Sequence, residues 1–526
     1  MQSIIYNFHY QGGHTSMHSV QSTKKVRLVT VIAALLFATA CSTQSGNSTE
    51  ETPKATPQST VTDAEGEGIS EPAEAELEPV NLKWYFLSYG TPTDMDTIEA
   101  EFNKYTQELI NATVDLVPVE AGDYEDKMNT VIASGEEFDI AWTSNWSFGY
   151  VGNVNKGAFY PIEDLLPEYA PNVTKLFGDK LEDARINGSI YAIPIYQTMT
   201  QIQGFVVQKR FADKYNLDVS SIKTYTDLEP FLQQIKENEP DIIPFGAAKD
   251  HSPIWSAYDI SWTGVTFRNS DPKTIIHTDF APEYEKHLQT MHKWFKAGWI
   301  NKDAATAPDL KSVLAKGNVA VTQDFNLKAG GEAGHKAENG GHDVIYIPTQ
   351  VPTFTGVTAT MNAISHTSKH PERAVALLDL MASNADMFNL LKYGIEGKHY
   401  TLNAEGKVVP IADSGYPMGV QGWVMGNETI GYLMEGQPDD TWEVTIERNE
   451  NAQRSPLYGF TFNGENVKTE IAAMQSVSGE FGAGLQTGTL DPAVYLPKLQ
   501  DALKKAGVDA YLAEQQRQLD EWFAKK

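Results

Sequence analysis

The chain has 526 residues, 41% of them hydrophobic, and 69 acidic against 41 basic residues give it a formal net charge of −28. So acidic a surface argues against nucleic acid or anionic lipid headgroups as partners. With one cysteine in the whole sequence, Cys41, no internal disulfide can form, and a fold of this size must rest on its own apolar core.

The first element is a leader. Lys24, Lys25 and Arg27 precede thirteen mostly apolar residues, Leu28 to Ala40, and small residues then lead into Cys41. Thirteen residues of helix reach roughly 20 Å, short of a bilayer core of about 30 Å. The stretch therefore reads as a signal-peptide h-region rather than a membrane span. It resembles a bacterial lipobox, with Ala38 where leucine is commonest; the resemblance implies cleavage before Cys41 and acylation of its sulfur. Residues 1–40 are thus expected to be removed, with Met17 a second candidate start, leaving 38 basic and 69 acidic residues and a net charge of −31. A cysteine occupied by lipid is neither a nucleophile nor a metal ligand.

Residues 41–80 are expected to be a disordered acidic tether. From Ser42 to Val80 the sequence is Ser, Thr, Pro, Gly, Ala and Glu, without aromatics, and carries nine acidic residues and one lysine. It cannot bury enough apolar surface to fold, and its charge extends it.

The folded part opens with a predicted strand over Asn81–Leu87, then a helix with Ile98, Phe102, Tyr105 and Leu109 on one face. A strand follows around Thr113–Val119, a helix around Tyr124–Ala133 and a strand over Phe138–Trp142. Alternating strands and helices predict an α/β layer with a mostly parallel sheet. Ligands in such sheets sit beyond the carboxyl ends of the strands, which selects two loops, Ser88–Asp94 and Thr143–Tyr150. A second α/β segment spans about Phe205–Val321, with helices at Thr226–Glu237 and Tyr284–Ala297. A helix starts at Pro371 with Ala374, Leu377, Leu378 and Met381 inward, and two more, Pro497–Ala506 and Ala510–Ala524, end the chain.

The order and spacing of SGEEFDIAW (134–142), KGAFYPIEDLL (156–166), NGSIYAIPI (187–195), AGWINKD (297–303) and KGNVAV (316–321) resemble the family 1 extracellular solute-binding proteins of ABC importers. YGIEGKHYTL (393–402), GWVMGNETIGYLMEG (422–436), SPLYGFTF (455–462) and AEQQRQLDEW (513–522) are similar to the LipO-type subgroup of Gram-positive surface lipoproteins, with its extra C-terminal domain of unassigned role. The resemblance implies a two-lobe, periplasmic-binding-protein-like α/β fold of type II, with the ligand cleft between lobes and a hinge crossed more than once. It implies lobe 1 over 81–200 with about 322–362, lobe 2 over 201–321 with about 363–400, and a subgroup-specific region over 401–526. Hinge crossings map near Ile195–Gly204, Val321–Phe325 and Met361–Ser365. The implied partners are a small solute, an ABC permease and, through the acyl anchor, the lipid bilayer. The implied protein is a monomer at the extracytoplasmic face of the cell membrane, with no cofactor.

Many members of this family bind sugars, and the sequence carries residues suited to it. A pyranose offers an apolar C–H face to a Trp or Tyr ring whose N–H or O–H can serve the hydroxyl rim, with Asp, Asn and Gln completing the contacts. On this basis the candidates are Tyr89 and Asp94 in the first loop, Trp142, Ser144, Asn145 and Trp146 at the third strand end, and Tyr196 and Gln197 at the hinge. Trp255, Tyr258, Asp259 and Trp262 are added in lobe 2, where core packing fits as well as a cleft. Trp423 and Asn427 enter through the resemblance alone. Trp294, Trp299 and Trp522, inside or beside helices, read as core.

Three other readings compete. A glycoside-acting enzyme needs two carboxylates about 5 to 9.5 Å apart across the scissile bond, and no hydrolase motif, GxSxG or HExxH surrounds any pair. His287 with His292 and His335 with His342 lack metal-pair spacing, so no metal site is expected. A sensor or scaffold lipoprotein without a transport role stays open because the C-terminal region is unexplained.

Overall fold

A computed structural model describes residues 77–90, 92–416 and 421–526. The leader, Cys41 and residues 42–76 of the tether lie outside the described residues. The expected tether ends slightly early, since the first strand begins at Val80.

Lobe 1 is built on a five-stranded sheet in the order Ala112–Glu120, Val80–Ser88, Ile140–Thr143, Met361–Ile364, Ala192–Pro194. Its first three strands are parallel, and Met361–Ile364 runs antiparallel between Ile140–Thr143 and Ala192–Pro194. The strand Val80–Ser88 has a fully buried stretch, Trp84 to Ser88, as expected for a central strand covered on both faces. The helix Met95–Ile110 buries Ile98, Phe102, Thr106 and Ile110, a strict four-residue step, and leaves Leu109 44% exposed. The expected apolar face was thus wrong in its last turns: Thr106 takes the inward place because its hydroxyl donates to the Ala112 carbonyl at 2.8 Å.

Lobe 2 has a four-stranded sheet in the order Val344–Pro348, Gly204–Gln208, Val319–Asp324, Ile243–Phe245. Here the domain boundaries differ from expectation. The chain does not return to lobe 1 near 322; Val344–Pro348 pairs antiparallel with Gly204–Gln208, so lobe 2 continues to Pro348. The helices Pro371–Ser383 and Ala385–Tyr393, expected in lobe 2, pack in the lobe 1 core through Leu377, Met381, Phe388 and Leu391. Long-range pairing decides both points, and local pattern carries no trace of it.

Three crossings join the lobes, and a small sheet stitches them together. Thr200–Gln201, Thr353–Phe354 and Gln453–Arg454 hydrogen-bond side by side. The Asn449 side chain ties the third crossing to the first, donating to the Gln197 carbonyl at 2.7 Å and accepting from the Met199 amide at 2.8 Å.

The expected C-terminal region splits in two. Tyr416, Val424 and Met425 belong to the lobe 1 core. The last three long helices, Lys468–Gln486, Pro492–Lys505 and Val508–Lys525, form a separate cluster with lobe 2, where Ile471, Met474, Leu499 and Leu503 meet Tyr284 and Leu288 of the helix Pro282–Lys296.

Candidate functional site

At the carboxyl end of the lobe 1 sheet the rings of Trp142, Trp146 and Trp423 form a closed triangle, with centroids 5.3, 5.9 and 6.2 Å apart. Tyr89, 41% exposed, adds a fourth ring 6.3 Å from Trp423. The parts come from the strand Ile140–Thr143 (Trp142), the loops after it and after Val80–Ser88 (Trp146 and Tyr89), and one short helix, Gly422–Met425 (Trp423). Gly426 lets that helix approach the helix Pro371–Ser383, because a Cβ there would run into the Met381 carbonyl oxygen.

Within the triangle the rings differ in role. Trp142 is fully buried, edge-on to Tyr124 at 5.5 Å, and its carbonyl accepts from the Tyr124 hydroxyl at 2.8 Å. It underlies the cluster and does not form its surface, which corrects the expectation that it stacks on ligand. Trp146 and Trp423 are half-buried and, with Tyr89, present the accessible rings. The indole N–H groups of Trp142 and Trp146 are both engaged. Trp142 Nε1 donates to Thr360 Oγ1 at 2.7 Å and Trp146 Nε1 to the Ala359 carbonyl at 2.8 Å. Beneath them Trp84 Nε1 donates to Asn362 Oδ1 at 3.1 Å. A buried indole N–H without a partner would cost about 1–3 kcal/mol, so these bonds fix ring orientation.

The polar candidates divide in the same way. Asn145 is exposed; its amide N–H donates to the Thr358 carbonyl at 2.9 Å, and its side-chain amide lies 3.4 Å from the Thr358 hydroxyl. Ser144 is buried and shapes the loop, accepting from the Trp146 and Ser147 amides at 3.1 and 2.8 Å. Asp94 is an anchor: its carboxylate meets Lys398 Nζ at 2.5 Å and His399 Nε2 at 3.1 Å. Its hydrogen bonds with Lys398 and then His399 hold its pKa below the ordinary carboxylate range. Because His399 Nδ1 accepts from the Ile395 amide at 2.9 Å, the ring proton sits on Nε2 and faces Asp94. Asn427 is likewise committed, its side-chain oxygen accepting from the Thr429 amide at 3.0 Å and its amide donating to the Ala382 carbonyl at 3.1 Å.

At the hinge Tyr196 is buried against Phe177, centroids 5.5 Å apart, and Gln197 is half-buried beside Asn449. The lobe 2 candidates form a second group. Trp255 packs on Tyr284 at 5.8 Å, and Tyr258 stacks on Tyr225 at 6.0 Å while its hydroxyl meets His287 Nδ1 at 3.1 Å. Asp259 turns the chain at φ +58° and accepts from the Ser270 hydroxyl at 2.5 Å. Of the four, Trp262 alone offers a large exposed ring face, 49% accessible. The histidines considered as metal pairs have separate partners: His292 meets the Gly488 carbonyl, and His335 meets Tyr346 and Asp324.

Thr360, with its neighbours on the segment 358–362, is what sequence reasoning missed. The signal was present as alternation, with polar Thr358, Thr360 and Asn362 between apolar Ala359, Met361 and Ala363, the pattern of a strand with one hydrogen-bonding face.

Two α/β lobes, a stitched triple hinge and an aromatic wall at the sheet's carboxyl end define a hinge-closing binding protein of type II. The chain belongs to the bacterial extracellular solute-binding proteins, whose family model matches residues 89–388; a domain of unknown function matches residues 456–524. It is 31% identical over 457 residues to a carbohydrate ABC transporter substrate-binding protein of Streptococcus pneumoniae, covering 85% of this chain and 91% of that one. It is 25% identical over 360 residues to lipoprotein LipO of Bacillus subtilis, covering 63% of this chain and 70% of that one. Among solved structures, the N-glycan transport solute binding protein of S. pneumoniae superposes with a TM-score of 0.75 at 29% identity, over 85% of this chain and all of that one. The same protein in complex with Man5GlcNAc superposes with a TM-score of 0.64 at 29% identity, over 85% of this chain and 99% of that one.

Proposed function

We propose that this protein is the substrate-binding lipoprotein of an ABC importer, held at the extracytoplasmic face through an acylated Cys41, and that it captures an oligosaccharide of the N-glycan type for a membrane permease without transforming it. The observation that carries the reading is the wall of Tyr89, Trp146 and Trp423, three accessible rings at the carboxyl end of the lobe 1 sheet. Rings of this kind cover the C–H faces of successive sugars, and Asn145 beside them supplies an amide for the hydroxyl rim. Among the lobe 2 candidates, Trp262 has the exposed ring available to a ligand. Likeness to the carbohydrate and N-glycan binding proteins supports the substrate class, and likeness to LipO supports the anchor.

Binding works through closure. A ligand that touches both lobes only in the closed form shifts the population toward it, and that form is the one a permease can distinguish. The net charge of −31 after removal of the leader suits a neutral glycan better than a sulfated or phosphorylated one.

A thermal-shift series with Man5GlcNAc, fructo-oligosaccharides, peptides and divalent cations tests the reading. At a hundred times its dissociation constant a ligand adds about 2.7 kcal/mol of stability. A shift with the mannose oligosaccharide is expected; a shift with peptides or metal alone would overturn the substrate class, and no shift with any of them would favour a sensor or scaffold role.

A further inference from the structure

Residues 358–362 are where the chain, having crossed back from lobe 2 beside the hinge sheet, enters the lobe 1 sheet. The same short segment holds nearly every polar handle of the aromatic wall. Asn145 meets Thr358, Trp146 meets Ala359, Trp142 meets Thr360 and Trp84 meets Asn362. It also holds the fourth piece, the helix carrying Trp423. Thr360 Oγ1 donates to the Trp423 carbonyl at 2.7 Å, and Asn362 Nδ2 donates to the Val424 carbonyl at 2.9 Å. Thr360 immediately precedes the strand Met361–Ile364 that carries Asn362, and both side chains reach the same short helix. Each accepts from one indole N–H and donates to one helix-end carbonyl. That pairing fits a four-residue helix, whose final carbonyls have no partners of their own.

We propose that Thr360 is a positioning residue for the oligosaccharide wall. Its one hydroxyl, on a residue 2% exposed, links the buried Trp142 to the short helix that presents Trp423, and so sets the distance between two rings that come from positions 281 residues apart in the chain. The inference rests on the reading of the wall as a sugar platform. Thr360 lies on the hinge return, between the hinge strand Thr353–Phe354 and the lobe 1 strand Met361–Ile364.

The test compares Thr360→Val, Thr360→Ser and Trp423→Ala in the purified full chain, titrated with Man5GlcNAc and followed by near-ultraviolet circular dichroism of the coupled indoles. Valine keeps the shape and removes the hydroxyl; serine keeps the hydroxyl. The expected result for Thr360→Val is affinity about ten-fold weaker, the scale of a lost buried hydrogen bond, with the indole dichroism changed. Thr360→Ser should restore both. If Thr360→Val binds like the wild type while Trp423→Ala is weakened, the positioning role is overturned and the platform stands. If Trp423→Ala binds like the wild type, the sugar platform itself is overturned and the inference with it. A loss in Thr360→Val that Thr360→Ser does not restore would assign the effect to packing, which also overturns the role of the hydroxyl.

Discussion

Lobe 1 and lobe 2 each gather aromatic rings near their strand ends, yet the two clusters do different things. In lobe 1 the indole N–H groups of Trp84, Trp142 and Trp146 all reach partners on residues 359–362, and three rings of the wall stay accessible. In lobe 2 Tyr225, Trp294 and His287 are fully buried, and the Nε2 atoms of His251 and His287 lie buried without a partner. Residue type is the same in both places. What separates an accessible wall from a core is whether a ring's polar edge is committed behind it while its face stays open, or whether face and edge are both enclosed.

The largest expected effect tests that division from the buried side. Trp142→Ala should lower the stability of the protein by about 3–5 kcal/mol, as for other fully buried aromatics, read as a drop in the denaturant midpoint. A midpoint unchanged within error would mean that Trp142 is not the foundation of the wall.

The lobe 2 core should make the protein acid-sensitive. Burial holds His251 down to about 3 and His287 well below its ordinary value of 6.5, the latter aided by His251 itself, whose ring stacks 6.1 Å away. Both folded values are depressed, so below about pH 6.5 the unfolded chain binds protons that the native one refuses. Stability then falls as pH falls, by about 2 kcal/mol per histidine at pH 5 relative to pH 7. His251→Phe should halve that slope and place a ring where Phe245 already packs, 5.9 Å away. A melting temperature flat from pH 7 to 5 in the wild type would contradict the burial of the pair.

A smaller, opposite dependence belongs to the edge of lobe 2. Burial pulls His335 down, but the hydrogen bond with Asp324, 3.0 Å away, and the negative charges of Asp324, Glu338 and Glu332 together more than offset this and raise it above 6.5. Burial likewise lifts Asp324, and the His335 hydrogen bond and charge, with the Asn326 amide and the Lys328 charge, together outweigh it and leave the carboxyl below 3.8. The histidine's contribution is full below 6.5 and is lost as pH rises through its raised value. The carboxylate's is full above 3.8 and is lost as pH falls through its lowered one. His335→Gln should therefore cost roughly 1 kcal/mol near pH 5.5 and less at pH 9, and an equal cost at both would remove the charge pairing.

Much of the lobe 1 fold was legible in sequence because its signals are local. Ile98 and Phe102 mark one helix face, and the buried strand residues Trp84–Leu87 read as a continuous apolar run. Thr106 shows where this fails: a threonine scored as polar is an inward residue once its hydroxyl finds the Ala112 carbonyl. The return of Val344–Pro348 to the lobe 2 sheet was hidden because pairing with Gly204–Gln208 is a long-range fact. Strand-end position pointed to Trp146 and Asn145, and similarity to the lipoprotein subgroup to Trp423, and the structure places all three beside the aromatic wall. Neither could show that Asp94, Ser144 and Asn427 spend their side chains on Lys398, on the loop amides and on a helix cap. A side chain's partners are fixed only once the chain is folded.

The most direct test is calorimetric titration of Man5GlcNAc into the wild type and into Trp146→Ala, whose ring is accessible and whose removal should spare the fold. The wild type should give a saturable heat, and the variant should bind more weakly by about 1–3 kcal/mol, the scale of an aromatic hot spot, with an unchanged melting temperature. Equal affinity in the two proteins would contradict the claim that this aromatic wall is where the sugar binds.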